Sequence, residues 1–70
     1  MTYAVVVERG PTSFGAYVPD LPGCVAAGET YEETLQLIED AIGFHVEGLR
    51  EQGEPVPTPA TRIAFVEVAA

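Results

Sequence analysis

Apolar and polar positions along the chain change period twice, and the changes divide it into five elements. From Tyr3 to Val7 every residue except Ala4 is β-branched or aromatic, which predicts a strand. Gly10-Pro11-Thr12 is turn chemistry, and Phe14 to Val18 predicts a second strand antiparallel to the first. Pro19 ends that strand because proline has no ladder donor. In Asp20-Leu21-Pro22-Gly23, Pro22 presets φ and Gly23 tolerates positive φ, so a type II turn is predicted. Cys24 to Ala27 is then a short third strand.

At Thr30 the period changes to that of a helix. Thr30-x-x-Glu33 is a capping box, in which hydroxyl and carboxylate each satisfy a free backbone N–H. Glu32 and Glu33 suit the positive end of the helix dipole. Gly53 stands where a C′ glycine belongs and Pro55 blocks continuation, so the helix is expected to end near Gln52. Tyr31, Leu35, Ile38, Ile42, His45, Val46 and Leu49 share one face, the pattern of a helix docked on a sheet. Glu32, Glu33, Gln36, Glu39, Asp40, Glu47 and Glu51 share the opposite face. Leu37, Ala41, Phe44 and Gly48 form an apolar flank between them. The flank reads either as the edge of a wide core stripe or as a candidate oligomer interface; glycine inside a helix costs about 1 kcal/mol relative to alanine, so Gly48 suggests close approach of another backbone and favours the second.

Pro55, Pro57 and Pro59 alternate, which makes Glu54 to Ala60 an extended, stiff connector. Thr61 to Val68 returns to the strand period. The predicted order is βββαβ in an α+β fold. It consists of a three-stranded antiparallel meander, one helix on one face, and a last strand parallel to the first through a right-handed crossover. In the first strand Tyr3, Val5 and Val7 oppose Ala4 and Val6. In the last, Ile63 and Phe65 oppose Ala64, Val66 and Val68. Both faces are thus apolar, as in sheets covered on both sides. One helix covers one face only, so a homodimer or higher homo-oligomer is expected.

Length and charge narrow the functional classes. Seventy residues allow one domain, spanning 1–70. A domain so short is marginal alone and gains from a partner subunit. Eleven acids against three arginines give a net charge of -8, so direct binding to DNA or RNA is not expected. Of these acids, Glu32, Glu33, Glu39, Asp40, Glu47 and Glu51 all fall on the helix, with Arg50 the only base there. A single acidic face of this kind can steer a basic partner toward it. One cysteine excludes an internal disulfide and fits a reducing cytoplasm. No signal peptide is evident, and no apolar run approaches the roughly 20 residues of a membrane span.

Catalytic chemistry finds little support. His45 is the only imidazole and reads as a packed or capping residue, and Cys24 as a small buried thiol. No nucleophile triad, phosphate loop or paired-histidine motif is present. A two-metal hydrolase needs converging carboxylates, for which Glu8, Asp20 and Glu29 are the least poor ligands. No metal or other cofactor is expected.

The segments Tyr17-Val18-Pro19-Asp20-Leu21-Pro22-Gly23-Cys24, Gly28-Glu29-Thr30, Gly48-Leu49 and Gly53-Glu54-Pro55-Val56-Pro57 together resemble the HicB-like antitoxin domain. The resemblance runs from about Tyr3 to Val68. It implies a partial RNase H-like fold of βββαβ order, generally without the metal-binding carboxylates of RNase H. It also implies a non-enzymatic role as the antitoxin of a type II toxin–antitoxin pair, whose toxin, HicA, is a small basic mRNA interferase. Many family members continue into a C-terminal DNA-binding domain; this sequence stops at Ala70, so a stand-alone form without operator binding is expected. The surfaces expected to meet the toxin are the Asp20 to Cys24 loop, with Asp20, Leu21 and Cys24 as contacts, and Glu32, Glu39, Asp40 and Glu47 on the helix. The alternatives are a metal-dependent RNase H-like hydrolase and an oligomeric scaffold for an unrelated protein.

Overall fold

A computed structural model describes residues 1–69. It contains β1 (Val6–Arg9), β2 (Phe14–Tyr17), β3 (Val25–Gly28) and α1 (Tyr31–Glu51). The strands form an antiparallel sheet in the order β1-β2-β3. The meander and single helix agree with the sequence reading. The first strand starts later than expected, at Val6 rather than Tyr3. Continuing the register Val6↔Tyr17 puts Pro19 opposite position 4, where it has no N–H to offer.

The loop from Val18 to Cys24 is two turns closed on themselves. The Leu21 N–H donates to the Val18 carbonyl and the Cys24 N–H to the Leu21 carbonyl, each at 3.0 Å. The second is the predicted turn: Pro22 and Gly23 are its central residues, and Gly23 has φ +86°. The Val18 N–H donates to the Cys24 carbonyl at 3.2 Å and ties the two ends together. With its polar backbone satisfied, the loop turns Val18, Leu21 and Cys24 into the core beside Ala16 and Ile38.

The helix ends follow the sequence closely. The Glu33 N–H donates to Thr30 Oγ1 at 3.0 Å, which makes Thr30 the N-cap. The Glu33 carboxylate reaches one residue further back than in a standard capping box and accepts from the Glu29 N–H at 2.8 Å. At the other end Gly53 has φ +70°; its N–H donates to the Arg50 carbonyl and that of Glu54 to the Leu49 carbonyl. This is the Schellman arrangement.

α1 packs over β3 and β2. The face it uses is rotated from the one expected. Thr34 and Ile38 are its buried residues, whereas Tyr31 and Leu35 are exposed. The cause lies in β3, whose inward positions Ala26 and Gly28 are small, as is Cys24 just before it. A Cβ on Gly28 would stand 2.6 Å from Thr34 Oγ1 and 3.1 Å from the Thr34 backbone nitrogen. The helix start therefore sits directly on the strand, and the buried Thr34 hydroxyl donates to the Thr30 carbonyl at 2.7 Å. Tyr31 is pushed to the rim, where its ring meets Phe14 edge-on at 6.4 Å between centroids.

The expected last strand is the main departure. Residues 53–69 follow α1 without joining the sheet, so among the described residues the order is βββα. Beyond Thr61 every described residue is exposed.

Candidate functional site

Three surfaces carry the residues singled out in the sequence. The first is the outer face of α1. Glu32, Glu39, Asp40 and Glu47, expected to meet a partner, are all exposed there, together with Glu33 and Glu51. Glu32, Glu39, Asp40 and Glu47 lie within about one quarter of the helix circumference at 100° per residue. Gln36 donates to Asp40 Oδ1 at 3.3 Å across one turn. Arg50 is the only Lys or Arg on this helix, so the face carries a net negative charge.

The second surface is the Asp20 to Cys24 loop, and here the structure corrects the sequence reading. Leu21 has no exposed surface and Cys24 retains 3%. Both are core residues, because the turn hydrogen bonds direct them inward, and neither presents a side chain to a partner. Burial also pushes the Cys24 thiol pKa up, which keeps it protonated and unreactive. Asp20 is already occupied. Its Oδ2 accepts from the Thr61 and Ala60 backbone N–H groups at 3.0 Å each, and its Oδ1 accepts from the Thr61 hydroxyl at 2.9 Å. These donors lower its pKa, with the Thr61 N–H first, the Ala60 N–H second and the Thr61 hydroxyl third. Nothing in the pattern of the sequence joins residues 40 positions apart, so this clamp was not legible in it.

The third surface is the apolar flank of α1. Leu37 and Phe44 are exposed, Phe44 to 85%, while Ala41 and Gly48 are half-buried. Phe44, His45, Gly48, Leu49 and Gln52 line an open groove of about 250 Å³ near the helix end. A Cβ on Gly48 would meet nothing within 4 Å. The close approach that its presence suggested is not made within this chain. The sheet adds a feature the sequence did not reveal: the register aligns Val6, Tyr17 and Val25 in one row on the face away from α1.

The carboxylates considered for metal binding are not brought together. Asp20 is held by residues 60 and 61, Glu8 lies on β1 opposite Gly15, and Glu29 follows β3. Among the described residues no three His, Cys, Asp or Glu side chains cluster as a metal site. No helix among them is long and apolar enough to cross a membrane.

Comparison with known proteins agrees with this layout. Residues 3–69 match the family described as HicB_like antitoxin of bacterial toxin-antitoxin system. The chain is 37% identical over 71 residues to Antitoxin HicB 2 of Photorhabdus laumondii, covering all of this chain and 51% of that protein. It spans about half the length of curated relatives it matches, 43% in one and 51% in another. Its structure resembles that of the HicA3 and HicB3 toxin–antitoxin complex with a TM-score of 0.73 and 32% identity, covering 86% of this chain and 70% of the matched one. It resembles the N-terminal domain of Burkholderia pseudomallei antitoxin HicB with a TM-score of 0.71 and 37% identity, covering 81% and 69%. Three antiparallel strands and one helix are thus the frame of a known domain, and the chain belongs to the HicB-like antitoxin family.

Proposed function

We propose that this domain is the toxin-binding part of a type II antitoxin, and that it neutralises a small basic HicA-type mRNA interferase by direct contact, without catalysis of its own. The observation that carries this reading is the exposed acidic face of α1. A protein that cleaves RNA must attract phosphates with basic residues. A surface bearing Glu32, Glu39, Asp40 and Glu47 competes for those residues and speeds the encounter. With Leu21 and Cys24 buried and Asp20 engaged, the helix is the surface offered to the toxin. The same charge leaves no basic face for an operator, so DNA binding is not part of this domain's role. The setting is the cytoplasm, where mRNA is cut. The finer fold in this reading is a partial RNase H-like one, to which Thr61–Val68, exposed and outside the sheet in the single chain, would contribute the fourth strand.

Co-expression with a HicA-type toxin is the test. The expected result is recovery of growth, co-purification, and affinity that falls with added salt. The triple variant Glu39→Arg, Asp40→Arg, Glu47→Arg is expected to lose the toxin while keeping its helical circular dichroism. Neither rescue nor co-purification by the unaltered chain would end this reading. Binding untouched by the triple variant would move the contact elsewhere.

A further inference from the structure

The second half of α1 is the less covered half. Its two buried residues, Thr34 and Ile38, lie in the first, and none from Gly43 to Glu51 is fully buried. On this half the helix surface has a hole. The neighbours of a helical position stand three and four residues away. For Gly48 these are Phe44, His45, Glu51 and Gln52. Glycine puts no side chain between them, and a Cβ there would meet no atom within 4 Å. The groove lined by Phe44, His45, Gly48, Leu49 and Gln52 is the result. Where helices pack on partners, a ring of four residues of this kind receives one side chain from the other molecule. Here the floor of the ring is bare backbone, so the hole is deeper than usual, and nothing among the described residues fills it.

The chemistry of the rim selects the occupant. Phe44 offers an aromatic ring that is 85% exposed. Glu51 and Gln52, both exposed, offer a carboxylate and an amide oxygen. Asp40 and Glu47, four residues before Phe44 and three after it, add carboxylates beside the ring. An aliphatic side chain seated here would cover the ring and strand these polar groups from water. An anion would meet only like charge. A guanidinium suits every wall: it stacks on an aromatic face, donates to carboxylate and amide oxygens in its own plane, and lays its methylene stem along apolar ground. The chain does not supply that group itself, since Arg50 lies about 200° around the helix from Gly48. A second copy fits poorly as well, because a chain at -8 would bring the same carboxylates face to face.

We propose that the hole at Gly48 is a slot for an arginine side chain of the basic partner, seated on the Gly48 backbone against the Phe44 ring and paired with Glu51. The inference rests on the toxin reading and gives it an anchor. The acidic face draws the toxin in and sets the rate of encounter, while one arginine desolvated against Phe44 holds it and sets the lifetime of the complex.

Calorimetric titration of the purified chain with a HicA-type toxin tests it. Gly48→Leu plugs the hole with a residue that favours the helix. It is expected to melt no lower than the unaltered chain, yet to bind the toxin at least about tenfold more weakly. Phe44→Ala is expected to weaken binding by a similar factor with its helical circular dichroism unchanged. Changing each arginine of the toxin to alanine in turn is expected to find one whose loss adds nothing to that of Phe44→Ala, the mark of two groups in one contact. An unaltered chain that does not bind ends the toxin reading and this inference with it. Full binding by Gly48→Leu and Phe44→Ala, while the Glu39, Asp40 and Glu47 triple variant still loses the toxin, overturns the slot alone and leaves the toxin reading standing. Coupling of Phe44 to an apolar toxin residue also overturns it. So does a fall in oligomer mass in either variant by light scattering, which would assign the flank to contact between copies.

Discussion

Two seven-residue stretches of this chain invert the usual relation between composition and burial. Val18–Cys24 contains two prolines, a glycine and an aspartate, yet it supplies three of the best-buried apolar side chains. Arg62–Val68 contains five apolar residues, four of them with high strand propensity, yet it lies wholly in water. The difference is where the backbone finds partners. The loop closes its own hydrogen bonds through two turns, so its apolar groups can be buried at no polar cost. A strand cannot satisfy itself. It needs a neighbouring edge, and within this chain the segment beyond Thr61 pairs with none.

The sharpest test of this contrast sets one substitution against another. Leu21→Ala is expected to lower the unfolding free energy by about 2–5 kcal/mol, from lost burial plus the cavity left behind. Phe65→Ala is expected to change it by less than about 0.5 kcal/mol when the chain is kept dilute enough to be monomeric. Urea unfolding of both variants at the same low concentration checks the pair. Equal losses would mean that this segment packs on its own body.

A smaller effect probes the close seat of α1 on β3. Gly28→Ala adds a methyl where the Thr34 backbone stands 3.1 Å away, an overpacking expected to cost about 1–3 kcal/mol. Gly48→Ala, which meets nothing within 4 Å, is expected to be neutral or to stabilise by up to about 1 kcal/mol. Thermal melts separate the two glycines by the sign of the change. Thr30→Ala removes the N-cap acceptor of the Glu33 N–H and is expected to cost about 1 kcal/mol, read in the same melts.

The smallest expected effect on stability concerns the root of the segment beyond Thr61. Hydrogen bonds from Thr61 and Ala60 lower the pKa of Asp20 in the folded chain. A depressed carboxylate contributes stability above its unfolded pKa, about 3.9, and loses it as pH falls through the folded value. The clamp is thus intact at neutral pH and opens only in acid. The protection of the Ala60 and Thr61 amides, as the ratio of intrinsic to observed exchange rate at each pH, is expected to fall as pH drops through the folded pKa of Asp20. Asp20→Asn is expected to lower that protection already at pH 7, with little change in the melting temperature.

Much of the fold was legible because its signals are local. Thr30, Gly53 and Pro55 bound the helix through backbone geometry that a few neighbouring residues decide, and Pro22-Gly23 does the same for the turn. The acidic face was readable from the helical period and the identity of six residues. The partner surface was only half legible. Asp20, Leu21 and Cys24 share a loop that reads as polar and exposed, but the inward direction of two of them depends on hydrogen bonds between its ends. The rotation of α1 toward Thr34 was hidden as well, because it follows from the absence of side chains on β3 rather than from apolarity on the helix.

By itself the sequence determined the elements, their caps, the order β-β-β-α and the place of the negative charge, all of which follow from short-range chemistry. The tertiary structure alone decided which face of α1 is buried, which loop residues face the core, and where the last apolar segment goes. Those outcomes rest on contacts between residues far apart in the chain, above all Gly28 against Thr34 and Asp20 against Thr61. Such contacts depend on how closely two elements approach, and no periodicity along one strand or helix records that distance.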